Sequence, residues 1–373
     1  MKKPIHLGIA CGGTGGHFFP ALAIAREFRR QGGQITLIIG GHHSEEQMAL
    51  AQREGLTAVP ADALRLPQHR RECLLFPFRF VAAVLRSRRL LKQLHPDVLL
   101  GMGSFASVPV GLAAACLRTP LVLHEGNTIT GRANRFLSRW ARRMATSFPE
   151  QANRTRTKCP AVWTGFPVRD EIVAAARNPF VPQEYLQSLH LDPALPLLLV
   201  FGGSQGARFI NETTAQAAGL FGAEAGRRLQ ILHFSGEDQN EPLQEAYRKA
   251  GIRCVVKRNE TAMHHAYLAA GLVVCRAGGA TISELALFGR AALLIPLPSA
   301  AEDHQTANAQ AAVRLGGAIL SRQSDTTPET LAGLVREWLT APQRCNELGQ
   351  GLRRLAVPDA SSKVVKLICD VLG

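Results

Sequence analysis

No apolar run in this 373-residue chain reaches the ~18 to 20 residues that a membrane-spanning helix requires. The stretch behind Lys2 and Lys3 is apolar for only about six residues before it meets glycines, shorter than the roughly 7–15 residues of a signal core. It reads as the first strand of a cytoplasmic protein. Cysteines are few, eight in all, with no C-x-x-C pair, which argues against zinc and for reduced buried thiols. Aromatic residues make up only 6%, mostly Phe inside apolar runs. The clustered basic-aromatic face of a nucleic-acid module is missing.

Acidic residues are also short: 29 against 43 Lys and Arg, a net charge of +14. Nucleic acid, an anionic membrane face or a phosphorylated substrate would each suit that excess, and composition alone does not choose. Two phosphate-binding patterns are absent as well. The dinucleotide pattern G-x-G-x-x-G fails because Gly13-Thr14-Gly15 is followed by Gly16, His17 and Phe18. No Gly-Lys-Ser/Thr follows a glycine loop, so P-loop ATP chemistry loses ground together with hydride transfer.

What is present is a regular alternation. "PIHLGIA", "QITLIIG", "DVLLGMG" and "PLVLHE" read as strands, with helices from about His17, Phe76, Ser107 and Gly131. The second half restarts with "LPLLLVFGG", "LQILHFSG", "IRCVVK", "GLVVCRAGG" and "AALLIPLP", each followed by a helical segment. Strands alternating with helices predict an α/β protein with parallel sheets. The length exceeds what one core holds, so two doubly wound domains are expected, 1–163 and 164–355. The connector lies near Thr164. Residues 356–373 read as a C-terminal helix that could pack back on either half, preferably the N-terminal one.

Four strands end in glycines just before a helix: Gly12 to Gly16, Gly101 with Gly103, Gly202 to Gly206, and Gly278 with Gly279. Open α/β sheets bind ligands at this carboxyl edge. Glycine lets a ligand approach the backbone, and a helix start offers unpaired N–H donors to a phosphate. Glycine can also simply make a short turn; loops of this kind in both halves favour phosphate binding.

Taken in order, "GGTGGHFFPALAIA", "GMGSFASVPVGLAA", "LHEGNTITGRANRFLSRWA", "GFPVR", "GGSQGARFIN", "VVCRAGGATISELALFG" and "EDHQTANA" resemble the motifs of the MurG family. These lipid II synthases are N-acetylglucosaminyltransferases of glycosyltransferase family 28 with the GT-B fold. The resemblance runs from about Ile5 to Leu320 with matching spacing. It implies two Rossmann-like domains facing each other across a cleft. It also implies transfer of GlcNAc from UDP-GlcNAc to the C4 hydroxyl of MurNAc in undecaprenyl-pyrophosphoryl-MurNAc-pentapeptide (lipid I), with inversion. The product is lipid II, for peptidoglycan. The implied location is peripheral, on the cytoplasmic membrane face, with anionic lipids and other cell-wall enzymes as partners. Rival readings are a GT-B transferase for another lipid, such as diacylglycerol, and an inactive UDP-sugar-binding module.

By the same resemblance, Ser204 and the backbone of Gly279, Ala280 and Thr281 face the donor diphosphate. Glu284 takes the ribose hydroxyls, unless it is merely a carboxylate favoured by the dipole at a helix's first turn. Gln305 contacts the sugar and Arg169 the donor. Thr14, Gly15, Gly16 and Asn127 complete the site from the first half. An inverting transfer needs a base, and His17 is the leading candidate; orienting the loop or touching the acceptor diphosphate are its alternatives. Glu125 is the rival base, or a buried structural carboxylate. Phe18 and Phe19 are expected to pack the helix start. Metal-holding glycosyltransferases commonly show an Asp-x-Asp pair and none occurs here, so magnesium would only assist.

The segment Arg65 to Leu94 sets Leu74, Leu75, Phe76, Phe78 and Phe80 among Arg70, Arg71, Arg79, Arg86, Arg88 and Arg89. Apolar side chains flanked by cations suit an anionic headgroup boundary, the alternative being an ordinary amphipathic helix. Four positions depart from the family pattern: Gly126 stands where glutamine is typical, Phe166 where asparagine is, and Asn259 and Glu260 where apolar residues sit near the uracil. They put donor specificity in question more than the reaction class.

Overall fold

The computed structural model describes residues 4–41, 43–62, 69–149, 157–180, 182–203, 206–238 and 240–373. Two compact units emerge: residues 1–169 together with 359–373, and residues 170–358.

The first unit holds β1 (His6–Gly12), β2 (Gln34–Gly40), β3 (Thr57–Pro60), β4 (Val98–Gly101), β5 (Leu121–Glu125), β6 (Arg143–Thr146) and β7 (Ala161–Trp163). They form one sheet in the order β3-β2-β1-β4-β5-β6-β7, every pair parallel. Parallel strands covered on both faces read as unbroken apolar runs, and in β2 every residue after Gln34 is buried. Helices Gly15–Arg30, Ser44–Arg53 and Ala360–Asp370 share a core with Leu7, Ile9 and Leu37. On the opposite face Leu91, Val110 and Leu137, from helices Arg70–Leu94, Ser107–Leu117 and Arg132–Leu137, pack on Ile38, Leu99 and Leu123.

The division falls after Arg169, not between Trp163 and Thr164. The N–H groups of Thr164 and Gly165 both donate to Thr146 O, at 3.0 and 3.2 Å, and Phe166 and Val168 are buried. These contacts keep the connector on the first unit. The second division falls after Pro358 rather than Leu355, and the last helix returns to the first unit beside Gly15–Arg30. Ser362 donates to the buried Glu27 carboxylate at 2.8 Å. Burial pushes Glu27 up, but the bonds from Ser362 and Gln31 and the charge of Arg30 outweigh it and hold the carboxyl below its usual range.

The second unit holds β8 (Leu197–Phe201), β9 (Gln230–Phe234), β10 (Arg253–Lys257), β11 (Ala270–Cys275), β12 (Ala292–Leu294) and β13 (Ile319–Leu320). The order is β10-β9-β8-β11-β12-β13, again all parallel. Counted from β8 this is the 3-2-1-4-5-6 order of doubly wound nucleotide-binding sheets. In both units the order reverses beside the first strand, between β1 and β4 and between β8 and β11.

Two buried histidines stay neutral inside these sheets. His233 on β9 accepts from Tyr247 Oη at 2.7 Å and donates to Asn211 Oδ1 at 3.0 Å. Burial pushes it down to about 3. His124 on β5 is likewise pushed down to about 3, by burial and then by the charge of His17. Unfolding frees each to protonate at about 6.5. Stability is therefore intact above that pH and is lost as pH falls from about 6.5 towards 3, by roughly 1 kcal/mol per unit for each histidine. Urea unfolding of the wild type and of His233→Gln across pH 7.5 to 4.5 checks this: the variant should show a shallower acid loss, and parallel curves would reject it.

Candidate active site

The first unit builds its site over the β1/β4 reversal. Gly12 has φ +116° and an added Cβ would lie 2.1 Å from Gly40 O, so only glycine lets β1 end this close to β2. Thr14 then starts helix Gly15–Arg30: its carbonyl accepts from His17 and Phe18, while its side chain makes no capping bond. The first-turn amides of Gly15 and Gly16 have no partner within the helix. Thr14 and Gly16 are exposed.

His17 is half-buried, and its Nδ1 lies 2.8 Å from Met102 O, just past β4. A carbonyl only accepts, so Nδ1 carries the proton and the lone pair sits on Nε2. Met102 is fixed in turn by its N–H to Ala10 O at 3.0 Å. The "GMG" turn thus orients the imidazole. Gly103 has φ +84°, and a Cβ there would stand 2.7 Å from Asn134 Nδ2.

Glu125, at the end of β5, is 4% exposed. Oε1 accepts from Asn127 N (3.1 Å) and Nδ2 (3.4 Å), and Oε2 from Gly131 N and Asn134 Nδ2, both at 2.9 Å. Four donors fill the carboxylate's acceptor sites. Burial raises its pKa and these bonds oppose the rise. Its geometry is that of a clamp on the loop Asn127 to Asn134.

Two of the family departures meet here. A Cβ on Gly126 would lie 3.1 Å from Phe166 Cε2, and the Phe166 ring stands edge-on to His124 with centroids 5.8 Å apart. The phenyl occupies the space that a side chain at 126 would enter. Phe18 and Phe19 meet edge to face at 5.7 Å, and the Phe19 ring lies against Gly15 at the helix start. Phe18 is in the core, but Phe19 is 40% exposed and carries the Arg169 guanidinium over its ring at 5.6 Å.

In the second unit, Gly203 has φ +96° and Gly206 φ +72° at the end of β8. Ser204, between them, lies outside the described residues. After β11, Gly278 precedes helix Gly279–Phe288, whose Gly279 is buried and whose Ala280 and Thr281 are half-buried. Gln305 Oε1 accepts from Ala277 N (3.3 Å) and Leu297 N (3.0 Å), and Asn308 Nδ2 donates to Ala277 O (3.1 Å). Gln305 thereby ties the loops after β11 and β12 together. Arg276, 8% exposed, donates to Ile295 O, Pro296 O and Gln323 Oε1 and holds the same two loops. Sequence reasoning passed over Arg276, Asn308, Met102 and Asn134; only Arg276, a charged residue just before Gly278 and Gly279, carried a local signal.

Glu284 is the sixth residue of its helix, not in the first turn, so the dipole does not account for it. Its Oε2 accepts from Tyr267 Oη at 2.7 Å. Glu260 turns inward: Lys257 Nζ (2.8 Å), Tyr185 Oη (3.0 Å) and Ala262 N (3.0 Å) all donate to it. Burial raises Glu260, but these three donors prevail and hold it below the usual carboxylate range. Its charge is spent on fixing the loop after β10, while Asn259 is exposed.

On helix Arg70–Leu94 the described side chains sort differently from the expected anchor. Leu74, Leu75, Phe78, Val81 and Leu85 are exposed. Phe76 and Phe80 are not: Phe76 stacks on Phe105 at 6.3 Å and packs against Phe80 at 5.9 Å, and Phe80 joins the sheet core. Arg79, Arg86 and Arg89 are exposed beside the apolar row, Arg86 paired with Asp62 at 2.6 Å. Arg65 lies outside the described residues, as do the side chains of Arg70 and Arg71. Among the described residues no helix is long and apolar enough to cross a membrane, and no group of three His, Cys, Asp or Glu could hold a metal.

Residues 7–146 match the glycosyltransferase family 28 N-terminal domain, and residues 197–364 the family 28 C-terminal domain. A Marinobacter nauticus protein is 38% identical, over 95% of this chain and 94% of its own; one from Ectopseudomonas mendocina is 37% identical over 98% of each. Both are named UDP-N-acetylglucosamine–N-acetylmuramyl-(pentapeptide) pyrophosphoryl-undecaprenol N-acetylglucosamine transferase. The crystal structure of Acinetobacter baumannii MurG is similar with a TM-score of 0.78 and 31% identity, covering 98% of this chain and 100% of that one. With its two doubly wound units, its glycine-lined strand ends and these full-length matches, the chain belongs to glycosyltransferase family 28 and has the GT-B fold.

Proposed function

We propose that this enzyme transfers GlcNAc from UDP-GlcNAc to the C4 hydroxyl of MurNAc in undecaprenyl-pyrophosphoryl-MurNAc-pentapeptide, with inversion. The observation that carries this reading is that relatives bearing that activity in their names match 95–98% of the chain. The sites add the means. His17 Nε2 takes the proton of the C4 hydroxyl as its oxygen bonds to the anomeric carbon. The bond from that carbon to the diphosphate breaks, and UDP leaves with the electron pair.

The N-terminal amides of helix Gly279–Phe288, the glycine turn around Ser204, and Arg169 stabilise the departing charge. Glu284 holds the ribose and Gln305 the sugar. Thr14, Gly15, Gly16 and Asn127 line the acceptor side, and Glu125 positions Asn127. No resident metal is needed for this charge balance. Radiolabelled UDP-GlcNAc with a lipid I analogue tests the whole reading, with and without excess chelator. Labelled lipid product and released UDP are expected in both arms; labelling of diacylglycerol instead would overturn the acceptor assignment.

The lipid-linked acceptor calls for contact with a membrane, and the exposed row on helix Arg70–Leu94 is the proposed peripheral anchor. Apolar side chains enter the headgroup boundary while Arg79 and Arg89 meet anionic lipid. Removing two large apolar side chains forfeits about 1.5–3 kcal/mol each of burial. Leu75→Ser/Phe78→Ser should therefore weaken binding to phosphatidylglycerol vesicles by at least about tenfold. Phe76→Ser should lower thermal stability with little change in vesicle binding. Equal flotation of wild type and double variant would remove this helix as the anchor.

A further inference from the structure

Resting on the reading of the glycine turn Gly202 to Gly206 as the donor diphosphate loop, we infer that His233 is a positioning residue for that loop. It is the middle of a buried chain of hydrogen bonds that ends beside Gly206. Tyr247, fully buried on helix Glu241–Lys249, brings its hydroxyl within 2.7 Å of His233 Nδ1 on β9. His233 Nε2 lies 3.0 Å from Oδ1 of Asn211, on helix Arg208–Ala218. Asn211 Nδ2 donates to Ser235 O at 3.1 Å and to Glu237 Oε1 at 3.4 Å. Ser235 O is the backbone atom that would stand 2.2 Å from a Cβ on Gly206. His233, Asn211 and Ser235 are all buried.

Each bond in the chain has one direction. Burial pushes the Tyr247 phenol up and His233 down to about 3, so the phenol keeps its proton and the imidazole carries only one. Among the described residues Tyr247 Oη has no other acceptor, so it donates to Nδ1 and the imidazole proton sits on Nε2. Nε2–H then holds Asn211 Oδ1 and turns Nδ2 towards Ser235 O. The other tautomer would accept from Nδ2 and swing Oδ1, a second acceptor, against that carbonyl. Hydrogen bonds aligned head to tail in a dry interior strengthen one another. The last of them fixes Ser235 O beside Gly206, where two backbones meet and neither has a rotamer to change. His233 thus acts through Asn211 and the Ser235 carbonyl on the loop that carries Ser204.

The test measures UDP and uridine binding, KM for UDP-GlcNAc and kcat in His233→Met and His233→Gln at pH 8, with a thermal melt of each. Methionine fills a similar volume but donates nothing; glutamine carries both a donor and an acceptor. His233→Met should weaken UDP binding and raise KM about five- to tenfold, because an unanchored amide loosens the diphosphate loop. Uridine affinity and kcat should stay within about twofold. His233→Gln should recover most of the loss. Tyr247→Phe keeps the ring and frees the tautomer, so it should show a smaller loss of the same kind, about two- to threefold. In an Asn211→Leu background, His233→Met should add nothing. Equal losses for UDP and uridine, no recovery in His233→Gln, or additive effects of the two substitutions overturn the inference alone. If His233→Met does not fold, unaltered UDP binding in Tyr247→Phe overturns it instead. UDP binding unchanged in Gly206→Ala removes the diphosphate-loop reading and the inference with it.

Discussion

Replacing His17 by alanine should lower kcat about 10³-fold while leaving KM for UDP-GlcNAc within about threefold, since a positioned general base contributes roughly 10²–10⁴. The donor contacts sit on other residues, so binding should survive the loss of the imidazole. Because Nδ1–H is committed to Met102 O, the lone pair on Nε2 is what the variant removes. The acid limb of the kcat profile should disappear with it. Glu125 gives the contrast. Glu125→Gln turns one carboxylate oxygen, and with it two of the four acceptor positions, into an NH2 facing two donors, which costs at least about 1–3 kcal/mol of stability. Its pH profile should keep the acid limb. A His17→Ala enzyme with near-normal kcat, or a Glu125→Gln enzyme whose acid limb is lost, would transfer the base role to Glu125.

Gly206→Ala should cost about 3 kcal/mol or more and weaken UDP binding by at least about tenfold. Two effects add. The backbone at φ +72° disfavours any side chain, and the new methyl would sit 2.2 Å from Ser235 O, a backbone atom with no rotamer to change. Either the loop after β8 or the loop after β9 must move, and the first of these carries Ser204. Gly203→Ala separates the two terms. Gly203 has φ +96° with nothing within 4 Å of the added Cβ, so it should show only the conformational cost of about 1–2 kcal/mol. Thermal melts and UDP titration of both variants measure the difference. Equal behaviour of the two alanines would mean that the close approach to Ser235 is not what requires glycine at 206.

The parallel α/β character of both halves was legible because its causes are local. β2 and β8 are nearly continuous apolar runs, and such runs mark strands buried on both faces whatever lies beside them. The glycine turns before helices Gly15–Arg30 and Gly279–Phe288 announced themselves for the same reason. The short strands β3, β6, β7 and β13, of two to four residues, carry too few positions for any period to show. Helix Ser44–Arg53 has only two buried residues and was equally silent.

Fold class and family could be read directly from the chain, because turn chemistry, hydrophobic runs and motif order are properties of neighbouring residues. What each side chain touches depends on packing across the fold. His17 finds its orienting carbonyl 85 positions away, and Ser362 reaches Glu27 across 335. Glu125 holds a loop through four donors, Glu260 turns inward, Phe76 and Phe80 face the core, and Arg169 lies over the Phe19 ring. Strand order and helix packing bring those partners together, and no local pattern encodes which distant residue will fill the last lone pair or the last gap.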